Sequence, residues 1–79
     1  MKARIIVTLR NGVLDPQGKA IESALKSFGL NDIGSVRQGK VFDVELAVPD
    51  RAEAEAVLKS ACEKLLANTV VENYAIELG

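Results

Sequence analysis

The chain has 79 residues, enough for one hydrophobic core and too few for two. Ten basic and eleven acidic side chains nearly cancel and are dispersed along the sequence, so no electrostatic footprint for DNA, RNA or an anionic membrane is visible. With no histidine and Cys62 as the single cysteine, an intrachain disulfide is excluded and a zinc or copper centre lacks ligands. A reduced, cytoplasmic setting is expected. The apolar run near Met1 is broken by Thr8 and Arg10, short of a signal-peptide core and of a membrane span.

Ala3 to Leu9 alternates as a half-buried strand, with Ile5, Val7 and Leu9 on the core face and Ile6 on the other. The segment Asn11-Gly12-Val13-Leu14-Asp15-Pro16-Gln17-Gly18 then reverses the chain and starts a helix. Asn11-Gly12 supplies turn chemistry, Asp15 is a good N-cap, and Pro16 suits the first helical position, where its missing N–H has no partner to lose. Val13, Leu14, Gln17 and Gly18 have no comparable local reason. Gly18 in a first helical turn costs up to about 1 kcal/mol relative to Ala, so its small size is expected to serve something. Ile21, Ala24, Leu25 and Phe28 form an apolar stripe, and Gly29 ends the helix as a left-handed cap.

Two further strands are expected at 34–38 and 41–48, reversing in a hairpin at Gly39. In the second, Phe42, Val44, Leu46 and Val48 share a face opposite Asp43 and Glu45. Pro49 ends it. Asp50 with Glu53 reads as an acidic capping box opening a second helix, whose stripe is Ala54, Val57, Leu58, Ala61, Cys62 and Leu65. After Asn68-Thr69 the chain is β-rich from Val70 to Leu78, with Tyr74, Ile76 and Leu78 facing inward.

This order predicts an α+β fold, the ferredoxin-like βαββαβ, over residues 1–79 as a single domain. A four-stranded antiparallel sheet carries two helices on one face. The uncovered face then holds Ile6, Val41, Ala47, Val71 and Ala75 among polar neighbours, which suits self-association as well as a scatter of exposed aliphatics.

The topology serves many functions, so side chains must decide. Phe42 is the one aromatic on the central strands and faces inward, against base stacking. Cys62 lies on a buried stripe, where an inert role outweighs catalysis. No nucleophile and base pair is evident. Arg10-Asn11-Gly12 is a faint echo of an acylphosphatase phosphate loop, and Arg37, Gly39 and Lys40 suit either a solvated hairpin tip or contact with a phosphate or acidic partner.

Several runs together resemble the PurS family, the small subunits of formylglycinamide ribonucleotide amidotransferase. They are Val7 to Ile21, with Leu14-Asp15-Pro16-Gln17-Gly18 as its most specific part, Val36 to Leu46, and Leu65 to Tyr74. Gln38 departs from the aliphatic residue usual in the family, and the sequence ends close after its last strand. The resemblance implies a non-catalytic subunit of a purine-biosynthesis ligase, forming homodimers or homotetramers and bridging a glutaminase subunit and a large synthetase subunit. It implies no cofactor on this chain, ATP and magnesium belonging to the synthetase, and no nucleic-acid or membrane partner. The expected partner surface is Asn11 to Gly18 with Arg37, Gly39 and Lys40. A small-ligand regulatory module of the same topology is the alternative.

Overall fold

The computed structural model describes all residues, Met1–Gly79. Three strands, β1 (Lys2–Leu9), β2 (Gly39–Glu45) and β3 (Glu72–Leu78), form one antiparallel sheet in the order β2-β1-β3. The most apolar strand takes the middle, because only a central strand can place a continuous apolar row beneath a helix while losing no backbone bond. Register pairs Ile5 with Phe42 and Ile76, and Val7 with Lys40 and Tyr74.

Helix α2 (Arg51–Ala61) covers the inner face and continues into a π-helical turn, Cys62–Leu66. Ala3, Ile5 and Val7 of β1 meet Leu58, Cys62 and Ala67 in the core, with Phe42, Val44, Tyr74, Ile76 and Leu78 packed around them. The expected Asp50 cap is present as backbone only: the Ala54 N–H donates to the Asp50 carbonyl at 2.9 Å, and the carboxylate makes no capping bond. The Ala67 N–H donates to the Cys62 carbonyl five residues back, at 3.0 Å. This wider turn carries Leu66 inward and leaves Leu65 83% exposed, although a 3.6-residue period assigns Leu65 to the buried stripe.

Helix α1 (Pro16–Ser27) forms as expected. Asp15 caps it through Gly18, and Gly29, at φ +86°, closes a Schellman end with the Leu30 N–H on the Leu25 carbonyl at 3.1 Å. Its apolar stripe does not lie on the sheet. No α1 residue belongs to the core, Phe28 is 77% exposed, and Ile21 and Leu30 are partly exposed. Both helices packed on one face are therefore not found within one chain; α2 alone covers the sheet.

The strand expected at 34–38 is also not formed. This segment carries a single inward-facing aliphatic, Val36, and it runs back along α1 without a ladder partner, so the sheet has three strands. Gly39 is not the tip of a hairpin; it is the first residue of β2, opposite Thr8. A Cβ there would sit 2.6 Å from the Val7 carbonyl oxygen, so close strand approach, not a reversal, requires the glycine. With α1 and 28–38 projecting as an arm, the molecule measures 50 × 25 × 14 Å and has a radius of gyration of 16.0 Å. A compact chain of this length has roughly 12 Å.

Candidate functional site

The segment Asn11 to Gly18 begins with a turn closed by the Val13 N–H on the Arg10 carbonyl at 3.2 Å. Gly12, at φ +86°, alone takes the left-handed conformation the turn needs; Asn11 does not. Arg10 stitches the turn to the entry of β3, its N–H donating to the Val71 carbonyl at 2.8 Å and its Nη2 to the Thr69 carbonyl at 2.7 Å.

Past the turn, the buried carboxylate of Asp15 joins two pieces of chain. Oδ1 accepts from the Gly18 N–H at 2.9 Å, and Oδ2 accepts from the Gln38 N–H at 2.8 Å. Two turns further along, buried Glu22 of α1 accepts from the Val36 N–H at 3.2 Å. Gly18 lies between them. A Cβ on it would stand 2.3 Å from the Val36 carbonyl oxygen, so the segment 36–38 lies directly against the backbone of the first helical turn. The hydrogen bonds from Gln38 and Gly18, and then the positive charge of Arg37, hold the Asp15 carboxyl below its ordinary value. Arg37 completes the junction, its Nη2 donating to the Leu9 carbonyl at 3.0 Å and the Arg10 carbonyl at 3.1 Å.

The expected partner surface thus divides. Asp15, Gly18, Arg37 and Gly39 hold the chain to itself, and Lys40 lies 3.6 Å from Glu72 across the sheet. Leu14, 71% exposed, points outward, with Asn11, Gly12, Pro16 and Gln17 exposed around it and Val13 half-buried. Val70, 82% exposed, belongs to the loop that Arg10 stitches to this turn. Exposure of Leu65 and Val70 is not visible from periodicity; the π turn and the Asn68 turn, where the Glu72 N–H donates to the Asn68 carbonyl at 2.8 Å, create it.

On the uncovered sheet face, register sets Ile6 between Val41 and Ala75 in one apolar row. Beside it Arg4 lies between Asp43 and Glu77, its Nε 2.9 Å from Asp43 Oδ1. Ala47 and Val71 fall outside the strands, beyond β2 and before β3.

Burial, and then the charge of Glu63, push the Cys62 thiol up, away from the thiolate a nucleophile needs. The Tyr74 phenol is pushed up by the same two causes in the same order. No group of three or more His, Cys, Asp or Glu side chains could hold a metal ion, and no helix is long and apolar enough to cross a membrane.

Polar groups that tie the chain to itself, with large aliphatic and aromatic side chains left in solvent, define a small association domain. The family model for PurS, phosphoribosylformylglycinamidine (FGAM) synthase, matches residues 2–79. The PurS subunit of Synechocystis is 48% identical over 95% of this chain and 75% of its own length, and that of Bacillus subtilis 43% over 98% and 90%. Among solved structures, B. subtilis PurS superposes with a TM-score of 0.88 at 43% identity, covering 96% of this chain and 94% of that one. A structure described as PurLQS from Thermotoga maritima matches with a TM-score of 0.89 at 36% identity, over 96% and 93%. The chain belongs to the PurS family of FGAM synthase subunits.

Proposed function

We propose that this chain is the non-catalytic bridging subunit of an FGAM synthase in purine biosynthesis, holding a glutaminase subunit and a synthetase subunit together so that ammonia passes between them. ATP and magnesium belong to the synthetase, and the setting is the cytoplasm. The observation that carries this reading is the exposed aliphatic end of the molecule, Leu14 with Val70 beside a turn that Arg10 and Arg37 hold rigid, in a chain of a family whose T. maritima relative was solved as PurLQS. Asn11, Gly12, Val13, Leu14, Pro16 and Gln17 form the docking face. Asp15, Gly18, Arg37, Gly39 and Lys40 hold its shape from behind.

The chain works as a dimer or tetramer. Two unpartnered surfaces support this: Ile21, Phe28 and Leu30 on and just beyond α1, and the sheet row of Ile6, Val41 and Ala75, which Ala47 and Val71 extend. A single copy of a 79-residue chain with its first helix undocked has a thin core, and burial of these surfaces against a second copy offsets that. The outer edge of β2 is where a fourth strand completes the ferredoxin-like sheet, supplied by 34–38 in the assembled protein.

Reconstitution with purified glutaminase and synthetase subunits tests the reading. Glutamine-dependent FGAM formation is expected to need this chain; an equal rate without it overturns the proposal. Leu14→Asp is expected to leave folding and self-association intact and to weaken the three-subunit complex about tenfold or more, as removal of a central aliphatic anchor does. Undiminished assembly by that variant returns the segment to being a turn only.

A further inference from the structure

The turn over residues 10–13 is held at its ends and free in its middle. The Val13 N–H reaches back to the Arg10 carbonyl, Arg10 is tied to the entry of β3, and Arg37 donates to the Leu9 and Arg10 carbonyls. The peptide unit between Asn11 and Gly12 has no such tie. Neither the Asn11 carbonyl nor the Gly12 N–H takes part in a hydrogen bond, and the Asn11 side-chain amide has no partner in the chain. Both residues are exposed, and the space where a Gly12 Cβ would stand is empty to 4 Å. A backbone nitrogen with no side chain crowding it, beside an unbonded asparagine amide, has a free path to the amide carbon. The other asparagines lack this arrangement. Asn31, Asn68 and Asn73 are followed by Asp32, Thr69 and Tyr74, whose Cβ atoms crowd the attacking nitrogen. Asn68 Oδ1 also accepts from the Val70 N–H at 3.2 Å, and Asn73 is fixed within β3.

We propose that Asn11 is a self-modification site, and that its conversion withdraws the chain from assembly. The Gly12 nitrogen bonds to Asn11 Cγ while the Cγ–Nδ2 bond breaks; the proton lost by the Gly12 nitrogen is balanced by one gained at Nδ2, which leaves as ammonia. A five-membered cyclic imide results. Water then opens the ring at one of its two carbonyls. Opening at Cγ gives aspartate at position 11, and opening at the backbone carbonyl gives isoaspartate, with the main chain routed through Cγ. The net change is one water taken up and one ammonia released, without oxidant or cofactor. Either product places a carboxylate in the outward face that carries Leu14, and a charge set in an aliphatic contact costs desolvation on docking. Isoaspartate also lengthens the main chain between Arg10 and Val13, where bonds fix both ends, so the turn must bulge and Leu14 shift. The consequence for assembly rests on the docking face proposed above; the conversion itself does not.

The purified chain, held in warm, mildly alkaline buffer and sampled over time, is digested in acid and read by mass spectrometry. Methyl transfer from S-adenosylmethionine by an isoaspartyl methyltransferase marks the isoaspartyl form. In the folded chain Asn11 is expected to convert first, with isoaspartate the larger product, while Asn68 and Asn73 persist and Asn11→Gln gains no isoaspartate at position 11. A folded chain that keeps Asn11 intact where the urea-denatured chain converts it overturns the inference. The converted chain, separated by its extra negative charge, is then titrated beside fresh chain into the glutaminase and synthetase subunits, and is expected to assemble about tenfold more weakly. Equal assembly of converted and fresh chain, with Leu14→Asp still defective, overturns the withdrawal step and leaves the docking face standing. Equal assembly of converted chain, fresh chain and Leu14→Asp overturns the docking face on which that step rests.

Discussion

Gly18→Ala separates two opposed expectations by the sign of its effect. Intrinsic helix propensity alone favours Ala by about 1 kcal/mol inside a helix, so a purely local view predicts stabilisation. The fold argues otherwise, because the new Cβ would lie 2.3 Å from the Val36 carbonyl oxygen and 2.8 Å from Asp15 Oδ2. Ordinary carbon-to-oxygen contact begins about 1 Å further out than the first of these, and a backbone carbonyl cannot swing aside as a long side chain can. The segment 36–38 must retreat, which strains the bonds from Val36 to Glu22 and from Gln38 to Asp15. Overpacking of this kind costs about 1–3 kcal/mol, leaving a net destabilisation of up to about 2 kcal/mol after the propensity gain. For a domain of this size that lowers Tm by up to about 15 °C. Thermal unfolding followed by circular dichroism, with exchange of the Val36 and Gln38 amides as the local probe, measures it. An unchanged or higher Tm, with both amides as protected as before, refutes the close approach as the reason for Gly18.

Leu58 is fully buried against β1, and Leu58→Ala is expected to cost about 2–5 kcal/mol, read by chemical denaturation; a loss below about 1 kcal/mol would place the core elsewhere. Cys62 is buried with its thiol pushed up, so a disulfide reagent is expected to label it slowly in the native protein and fast in denaturant; equal rates would contradict its burial. Asp15 has its folded pKa lowered, so its contribution to stability is fully present above its ordinary carboxylate value and is lost as pH falls through the lowered folded one. Protection of the Gly18 and Gln38 amides is expected to fade over that acidic window and to be less pH-dependent in Asp15→Asn; identical pH profiles would remove Asp15 from the junction.

Elements with strong periodicity were legible in the residues, and what they face was not. β1, α2 and β3 follow their apolar alternation or stripe, and the Asp15-Pro16 start and Gly29 end of α1 follow from cap chemistry. The α1 stripe is equally clear, yet periodicity reports that a face is apolar without saying which surface meets it, and here it meets none within the chain. Gly39 was misread as a reversal because a glycine between two β-rich runs suits both a turn and a tight strand contact; only the Val7 carbonyl beside it decides. Leu65 was misplaced because a 3.6-residue period was carried through a π turn. The turn Asn11 to Gly18 stands out in the sequence through Gly18 in a first helical turn and its apolar Val13 and Leu14. Its division into an inner support and an outer aliphatic face depends on Val36 to Gln38, about twenty residues away in sequence, and such pairing leaves no local mark.

Placing the first strand in the centre of the sheet orders events during synthesis. β1 is made first, yet one of its two neighbours is the last strand to be made, and its inner face is covered by α2, more than forty residues later. The junction of Asp15 and Glu22 with 36–38 closes within about twenty residues and can form while the chain is still growing. The core cannot, because loop closure over most of the chain must precede its contacts. A nascent chain of this protein therefore presents a finished arm and an apolar strand with one edge unpaired at the same time, until Ile76 and Leu78 arrive to pair with Ile5 and Ala3.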